Sequence, residues 1–291
     1  MSDALPDVLA RVETWGTDHA AAALVGPAGV IASHGDLDRS YRWASVTKLV
    51  TALAVLIAVD AARIDLGEPA GPPGSTVRHL LAHASGLAFD SEALLAAPGT
   101  RRIYSNPGYD HLGAVLAERA GTPVEAALQA AVLGPLGMDA TRLTDRPSQG
   151  LTGPLRGLAA LAGELLRPSL LVPATYAAMT TVAFPGLPGV LPGVGRFDPL
   201  DWGLGPELRG DKRPHWTGTT NSAATFGHIG GAGTFLWVDP ALDLALVCLT
   251  DRDFGAWALE AWPAFSDTVI AAASASRSDA EHAPTVERTP G

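Results

Sequence analysis

Cysteine is all but missing from the 291-residue chain: the single Cys248 lies in the apolar run Leu244-Ala245-Leu246-Val247-Cys248-Leu249. That excludes an internal disulfide framework and a cysteine-based zinc site, and Cys248 reads as a buried thiol. Positive charge is scarce as well, with 20 Lys and Arg against 30 Asp and Glu and a formal net charge of -10. Phosphate-rich surfaces need clustered Lys and Arg, and these cations are scattered, so neither nucleic acid nor membrane is expected as a partner. No apolar run approaches the roughly 20 residues that span a bilayer. The longest, Leu49 to Val59, is interrupted by Thr51 and bounded by Lys48 and Asp60, and reads as a core helix. The opening Met1-Ser2-Asp3-Ala4-Leu5-Pro6-Asp7 lacks the positive charge and apolar stretch of a secretory leader, so a cytoplasmic protein is the expectation. Two hydrolase signatures are missing too. No Gly-x-Ser-x-Gly occurs, which argues against an α/β-hydrolase. No His-Glu-x-x-His occurs either, and no metal or cofactor is expected.

What is present is a globular composition, 47% hydrophobic, in a length that suits one large domain or two intimately joined ones. Ala20 to Val25 and Val30 to Ser33 flank Gly26-Pro27-Ala28-Gly29, the pattern of a hairpin. A buried helix is expected from Ser45 to about Arg63. Further helices are expected at Ser75–His83, Pro107–Ala120, Pro123–Leu133, Leu155–Leu166 and Pro173–Thr180. Pro and Gly crowd residues 184 to 199, which reads as a long irregular loop, either a lid or a linker. Strand composition returns at Asp201–Leu208, Phe226–Val238 and Leu242–Thr250, followed by a helix over Ala256–Ala273 and a frayed tail. Strands so far apart in sequence must share a sheet to bury their apolar faces. The expected fold is therefore α+β: an antiparallel sheet flanked by N- and C-terminal helices, with an inserted all-helical subdomain. The expected division is a sheet subdomain from 1–64 and 196–275, a helical subdomain and loop from 65–195, and a flexible tail from 276–291. A ligand would sit in the cleft between the first two.

Lysine scarcity points to the chemistry. Only Lys48 and Lys212 occur, against 18 arginines. Arginine serves solvated surfaces but holds its proton, so a retained lysine suits a place where deprotonation matters. Lys48 lies three residues after Ser45, one helical face brings the two together, and the first turn favours developing negative charge. The bland alternative is a Ser cap with a surface Lys. Against it, Leu49, Val50, Leu53, Ala54 and Leu56 make this helix apolar on nearly all sides. Tyr104-Ser105-Asn106 supplies a phenol that can shuttle a proton and an amide that can hold a carbonyl, although Ser-Asn-Pro-Gly is also strong turn chemistry. His228-Ile229-Gly230-Gly231 carries almost no weight alone, but a Gly-lined strand edge lets a substrate approach the backbone closely.

Taken in order, Ala44-Ser45-Val46-Thr47-Lys48, Tyr104-Ser105-Asn106-Pro107-Gly108-Tyr109 and Gly227-His228-Ile229-Gly230-Gly231 make the chain resemble the serine β-lactamase and penicillin-binding-protein superfamily. The resemblance is to the branch of class C β-lactamases, D-alanyl-D-alanine carboxypeptidases and family VIII esterases, over roughly residues 20 to 265. Leu80-Leu81-Ala82-His83-Ala84-Ser85-Gly86-Leu87, Pro135-Leu136-Gly137-Met138 and Trp202-Gly203-Leu204-Gly205 agree with it. The resemblance implies that Ser45 is the acylated nucleophile, that Lys48 takes its proton and that Tyr104 is the second acid/base group. It implies that Asn106 orients substrate and Lys48, that the backbone N–H groups of Ser45 and Gly231 form the oxyanion hole, and that His228 lines the third wall near Tyr104. His83 reads as structural. To serve as a base, Lys48 must fall about three units from its ordinary value, roughly 4 kcal/mol against the charged form, which burial can supply.

One departure bears on substrate. Ile229 stands where the resemblance leads one to expect Thr or Ser in enzymes that bind a carboxylate, and Phe184, Leu187, Val190, Leu191 and Phe197 are candidates for apolar lining. The chain is also shorter than typical carboxypeptidases of this group. The expectation is thus a serine hydrolase acting on a small-molecule ester or amide, foremost a carboxylesterase for small or medium uncharged acyl groups. A weak β-lactamase or D-amino-acid amidase/carboxypeptidase is the nearest alternative, and a non-catalytic ligand-binding relative the alternative of a different kind. Oligomeric state is not legible in these residues.

Overall fold

A computed structural model describes residues 5–281. A short helix α1 (Leu5–Leu9) and a 3-10 turn (Ala10–Trp15) precede the hairpin β1 (Ala20–Gly26) and β2 (Gly29–His34). Then come β3 (Tyr41–Arg42), a 3-10 turn (Ala44–Val46), α2 (Thr47–Asp60), α3 (Val77–Leu81), β4 (Arg102–Ile103), α4 (Asn106–Ala120) and α5 (Val124–Leu128), which runs into a π turn at Gln129–Leu133. They are followed by β5 (Arg142–Leu143), β6 (Leu151–Gly153), α6 (Leu155–Leu166), α7 (Pro173–Met179), β7 (Gly189–Leu191) and β8 (Gly195–Phe197). The chain closes with β9 (Glu207–Leu208), β10 (Phe226–Gly230), β11 (Thr234–Asp239), β12 (Leu244–Thr250) and α8 (Ala256–Glu281).

The main sheet has the order β2-β1-β12-β11-β10-β9 and is antiparallel throughout. Strand alternation sends neighbouring residues to opposite faces, and both faces are covered. Ala21, Ala23, Val25, Leu236, Val238, Val247 and Leu249 join a cluster with α2 and α6. Ala22, Leu24, Phe235, Trp237, Leu246 and Cys248 join another with α1 and α8, where the Cys248 thiol is fully buried. Double coverage explains why β1, β11 and β12 read as continuous apolar runs rather than as alternating ones. α6, which falls inside the expected helical insertion, packs on β1, β11 and β12.

Four local expectations are corrected. Residues 184–199 are irregular only in part: β7 and β8 pair as a hairpin, and β7 pairs in parallel with β4. Pro185, Pro188, Pro192 and Pro199 all fall outside the paired residues, so their missing N–H groups interrupt no ladder. Asp201–Leu208 forms a strand only at Glu207–Leu208, and Trp202–Pro206 instead loops back through Gly203 N–H to the Pro206 carbonyl (2.9 Å). Phe226–Val238 is two strands joined by Gly231-Ala232-Gly233, closed by Gly233 N–H to the Gly230 carbonyl (3.0 Å) with Gly233 at φ 74°. The tail is helical as far as Glu281, where Ser274 and Ser276 hydroxyls return to carbonyls four residues earlier. The rest of the expected tail, 282–291, lies outside the described residues. Among the described residues no helix is long and apolar enough to cross a membrane.

Candidate active site

Ser45 is presented by the single 3-10 turn that leads into α2. Ala44 before it has φ 46°, a left-handed conformation costly for a residue with a Cβ. The turn is held from behind, because the Trp43 carbonyl accepts from Val46 N–H (3.2 Å) and from the Thr234 hydroxyl of β11 (3.0 Å). Gly230 makes that docking possible: a Cβ there would stand 2.4 Å from the Trp43 carbonyl oxygen.

One helical turn on, Lys48 is fully buried. Its Nζ lies 2.7 Å from Asn106 Oδ1, 2.8 Å from the Ser148 carbonyl and 3.4 Å from Ser45 Oγ. Burial pushes the amine well below its ordinary value, with Arg146 acting the same way and Asp110 and Asp90 opposing. A neutral amine has two N–H donors and one lone pair. Asn106 Oδ1 and the Ser148 carbonyl can only accept, so they take both donors. In the uncharged form that burial favours, the position left over toward Ser45 Oγ is the lone pair. The amide of Asn106 cannot flip to spoil this, because its Nδ2 donates to Asp90 (3.3 Å), which Arg146 holds at 2.7 Å.

Tyr104 leads into α4, whose N-cap Ser105 accepts from Gly108 N–H (3.2 Å). Its hydroxyl is hydrogen-bonded to Ser45, and burial raises its pKa, so the phenol keeps its proton. His83 lies against its ring with centroids 4.4 Å apart and accepts Ser105 N–H on Nδ1 (3.1 Å); Lys48 Nζ sits 4.7 Å from the ring centroid. Serine oxygen, amine and phenol thus meet at one point.

A family model described as Beta-lactamase matches residues 18–266. The chain belongs to the β-lactamase family. Among solved structures it is similar to a protein described as a β-lactamase, Mb2281c from Mycobacterium bovis. The two share 54% identity over 91% of this chain and 98% of that one, with a TM-score of 0.89. Among curated proteins it is similar to esterase EstB of Burkholderia gladioli, 30% identical over 40% of this chain and 46% of the relative. It is also similar to the D-alanyl-D-alanine-carboxypeptidase/endopeptidase AmpH of Escherichia coli K12, 28% identical over 39% of each. The chain therefore matches less than half the length of these curated relatives.

In this β-lactamase-family chain Ser45 and Tyr104 open onto a cavity of about 190 Å³. Of the residues singled out from sequence, Ser45, Tyr104, His228, Ile229, Gly230 and Gly231 line it, while Lys48 and Asn106 stand behind its wall. Ser45 and Gly231 border the same space, and a Cβ on Gly231 would meet nothing within 4 Å. Of the five candidates for apolar lining only Leu191 lines the cavity. Phe184 stacks on His79 (4.4 Å), Leu187 joins the core, Val190 is 52% exposed and Phe197 packs with the α8 face. Hairpin alternation sends Val190 and Leu191 to opposite sides.

Sequence reasoning did not reach Phe89, Trp216, Phe254 and Glu207, which also line the cavity. They come from loops and a two-residue strand, where no periodicity marks a facing side. Glu207 is the unexpected one. Its buried carboxylate accepts from Lys212 (2.5 Å), His215 Nε2 (3.0 Å) and Trp216 Nε1 (3.1 Å). Burial alone would raise it, but His215 and Lys212 hold it down to about 2. The second lysine of the chain is thereby accounted for as an ion-pair partner. Among the described residues no group of His, Cys, Asp and Glu could hold a metal ion.

Proposed function

We propose that this chain is a serine hydrolase that works through an acyl-enzyme on Ser45, acting on carboxylic esters with small or medium uncharged acyl groups. The observation that carries this reading is the buried Lys48 amine, both N–H groups engaged, with its remaining position 3.4 Å from Ser45 Oγ. Lys48 accepts the Ser45 proton as Oγ attacks the ester carbonyl. The carbonyl C–O bond to the alcohol breaks, and the departing oxygen takes the proton through the neutral phenol of Tyr104. Water then adds to the acyl carbon by the reverse relay, and the acid leaves. The backbone N–H groups of Ser45 and Gly231 receive the developing oxyanion, each contributing roughly 3 kcal/mol.

The preference for uncharged esters is supported by the lining. Phe89, Tyr104, Leu191, Trp202, Trp216 and Phe254 are apolar or aromatic, no Arg or Lys borders the cavity, and Ile229 offers no hydroxyl to a carboxylate. A second reading, β-lactam hydrolysis, is favoured by the 54% identity to a protein described as a β-lactamase. Intact mass after brief exposure to p-nitrophenyl butyrate or to a chromogenic cephalosporin separates them. Acyl mass on the wild type and none on Ser45→Ala is expected, with turnover of the ester. Turnover of the cephalosporin alone would favour the second reading, and no adduct with either would end both.

A further inference from the structure

The turn that supplies one of the two acceptors to the Lys48 amine carries a charge that the acyl-transfer steps do not use. Gln149 and Gly150 N–H close it onto the Arg146 carbonyl (3.0 and 2.7 Å). α2 holds it at two points, Thr51 Oγ1 donating to the Pro147 carbonyl (2.7 Å) and Lys48 Nζ to the Ser148 carbonyl (2.8 Å). From this turn the Arg146 guanidinium reaches two carboxylates, Asp90 at 2.7 Å through one nitrogen and Asp110 at 3.3 Å through the other. Asp90 also accepts from Asn106 Nδ2 (3.3 Å), whose Oδ1 is the second acceptor of the amine. Asp110 follows Asn106 by four residues on α4, hence on the same face, and its Oδ1 is buried without a partner.

The other titratable groups around Lys48 stay neutral. Burial lowers His83 and His228, and it raises Tyr104 and Tyr109, whose rings lie 4.7 and 5.5 Å from Nζ. Glu207, on the cavity wall, is paired with Lys212, and Asp145, next to Arg146 in the chain, accepts from Gln149. The charges that act on the buried amine are therefore Asp90 and Asp110, which favour a proton on it, and Arg146, which opposes one. Without the guanidinium, two anions would face the amine unopposed.

We propose that Arg146 is a positioning residue for the hydrolase reaction, which keeps the Lys48 amine free of a proton by clamping and opposing the carboxylates of Asp90 and Asp110. Arg146 does not line the cavity, so it acts through Lys48 and not on the substrate. Lys48 must be uncharged to take the Ser45 proton, so any change that favours the protonated amine raises the pH at which activity begins. This deepens the hydrolase reading and rests on Lys48 being the base for Ser45.

The test is the pH profile of kcat/KM for p-nitrophenyl acetate between about pH 5 and 9, read as the position of the acid limb and not as the height of the plateau. In Arg146→Met the limb is expected to move up by about one unit, a roughly tenfold loss at pH values below it. Arg146→Lys keeps the charge and should hold the limb within about 0.3 unit of wild type, and Arg146→Met/Asp110→Asn should recover at least about half of the shift. Arg146→Gln makes the same comparison if the methionine variant does not fold. A merely structural role would lower the rate equally at every pH. An unmoved limb, no limb above about pH 5 in Arg146→Met, or a limb as high in the lysine or the double variant as in Arg146→Met overturns the proposal. Turnover by Ser45→Ala equal to wild type would instead overturn the hydrolase reading, and the proposal with it.

Discussion

The amine of Lys48 derives its role from what surrounds it. Burial favours an uncharged nitrogen, two carbonyl acceptors engage its N–H groups, and Ser45 stands at the one position left over. Arginine would keep the charge and the reach yet could not give up a proton. Lys48→Arg is therefore expected to lower kcat/KM for p-nitrophenyl acetate by about a thousandfold or more; activity within tenfold of wild type would show that no proton leaves residue 48. Ser45, Lys48, Tyr104 and Asn106 were legible because rare residue types at fixed spacing are visible in a string. The Ser148 carbonyl was not, since a backbone acceptor has no letter of its own. Asp90 and Arg146, which orient Asn106, were hidden by their separation of 56 positions and ordinary composition.

Between elements, the site depends on how β10 lies against the Ser45 turn and how Tyr104 is anchored. In Gly230→Ala the new Cβ would meet the Trp43 carbonyl at 2.4 Å and Thr234 Oγ1 at 2.3 Å, so strand and turn must separate. The expected outcome is at least a tenfold loss of kcat with secondary structure intact by circular dichroism, since small misplacements of reacting groups are expensive. Arg102, in the strand β4 that delivers Tyr104, is buried and donates to the carbonyls of Ala82, Ala183, Phe184 and Leu200, tying the segments on either side of the β7–β8 hairpin to β4. Arg102→Met leaves those acceptors unpaired and should cost about 3 kcal/mol in urea unfolding; a loss under 1 kcal/mol would contradict the clamp. α4 was read close to its true bounds because its Ser105 cap and Gly121 stop agree, and α6 because apolar periodicity marks its buried face. The β7–β8 hairpin was missed because its pairing is tertiary, made with β4 and secured by Arg102, while its Pro and Gly content locally signals a loop.

Across the whole molecule, the sheet buried on both faces carries titratable groups that folding removes from water. His228 falls from 6.5 to about 3 by burial and by the Lys48 amine, and His83 is lowered by burial as well. Glu207 falls from 4.5 to about 2 because His215 and Lys212 outweigh its burial. In each case the unfolded chain binds more protons than the folded one over the window between the two values, so stability rises with pH there. Acidification from pH 6.5 toward 3 should therefore remove several kcal/mol, and His228→Phe should flatten the profile by on the order of 4 kcal/mol; parallel profiles for the two proteins would contradict the buried neutral imidazole. The α+β architecture was legible at this scale because distant apolar strands have few ways to be buried together. Because the entire chain holds only two lysines, the central claim can be read directly by NMR of [13Cε]lysine-labelled protein, with Lys48→Met naming the signals. The Lys48 resonance is predicted at the neutral-amine position at pH 7, unmoved by raising the pH further; a Lys48 resonance that titrates near 10.5, the ordinary lysine value, would contradict the account.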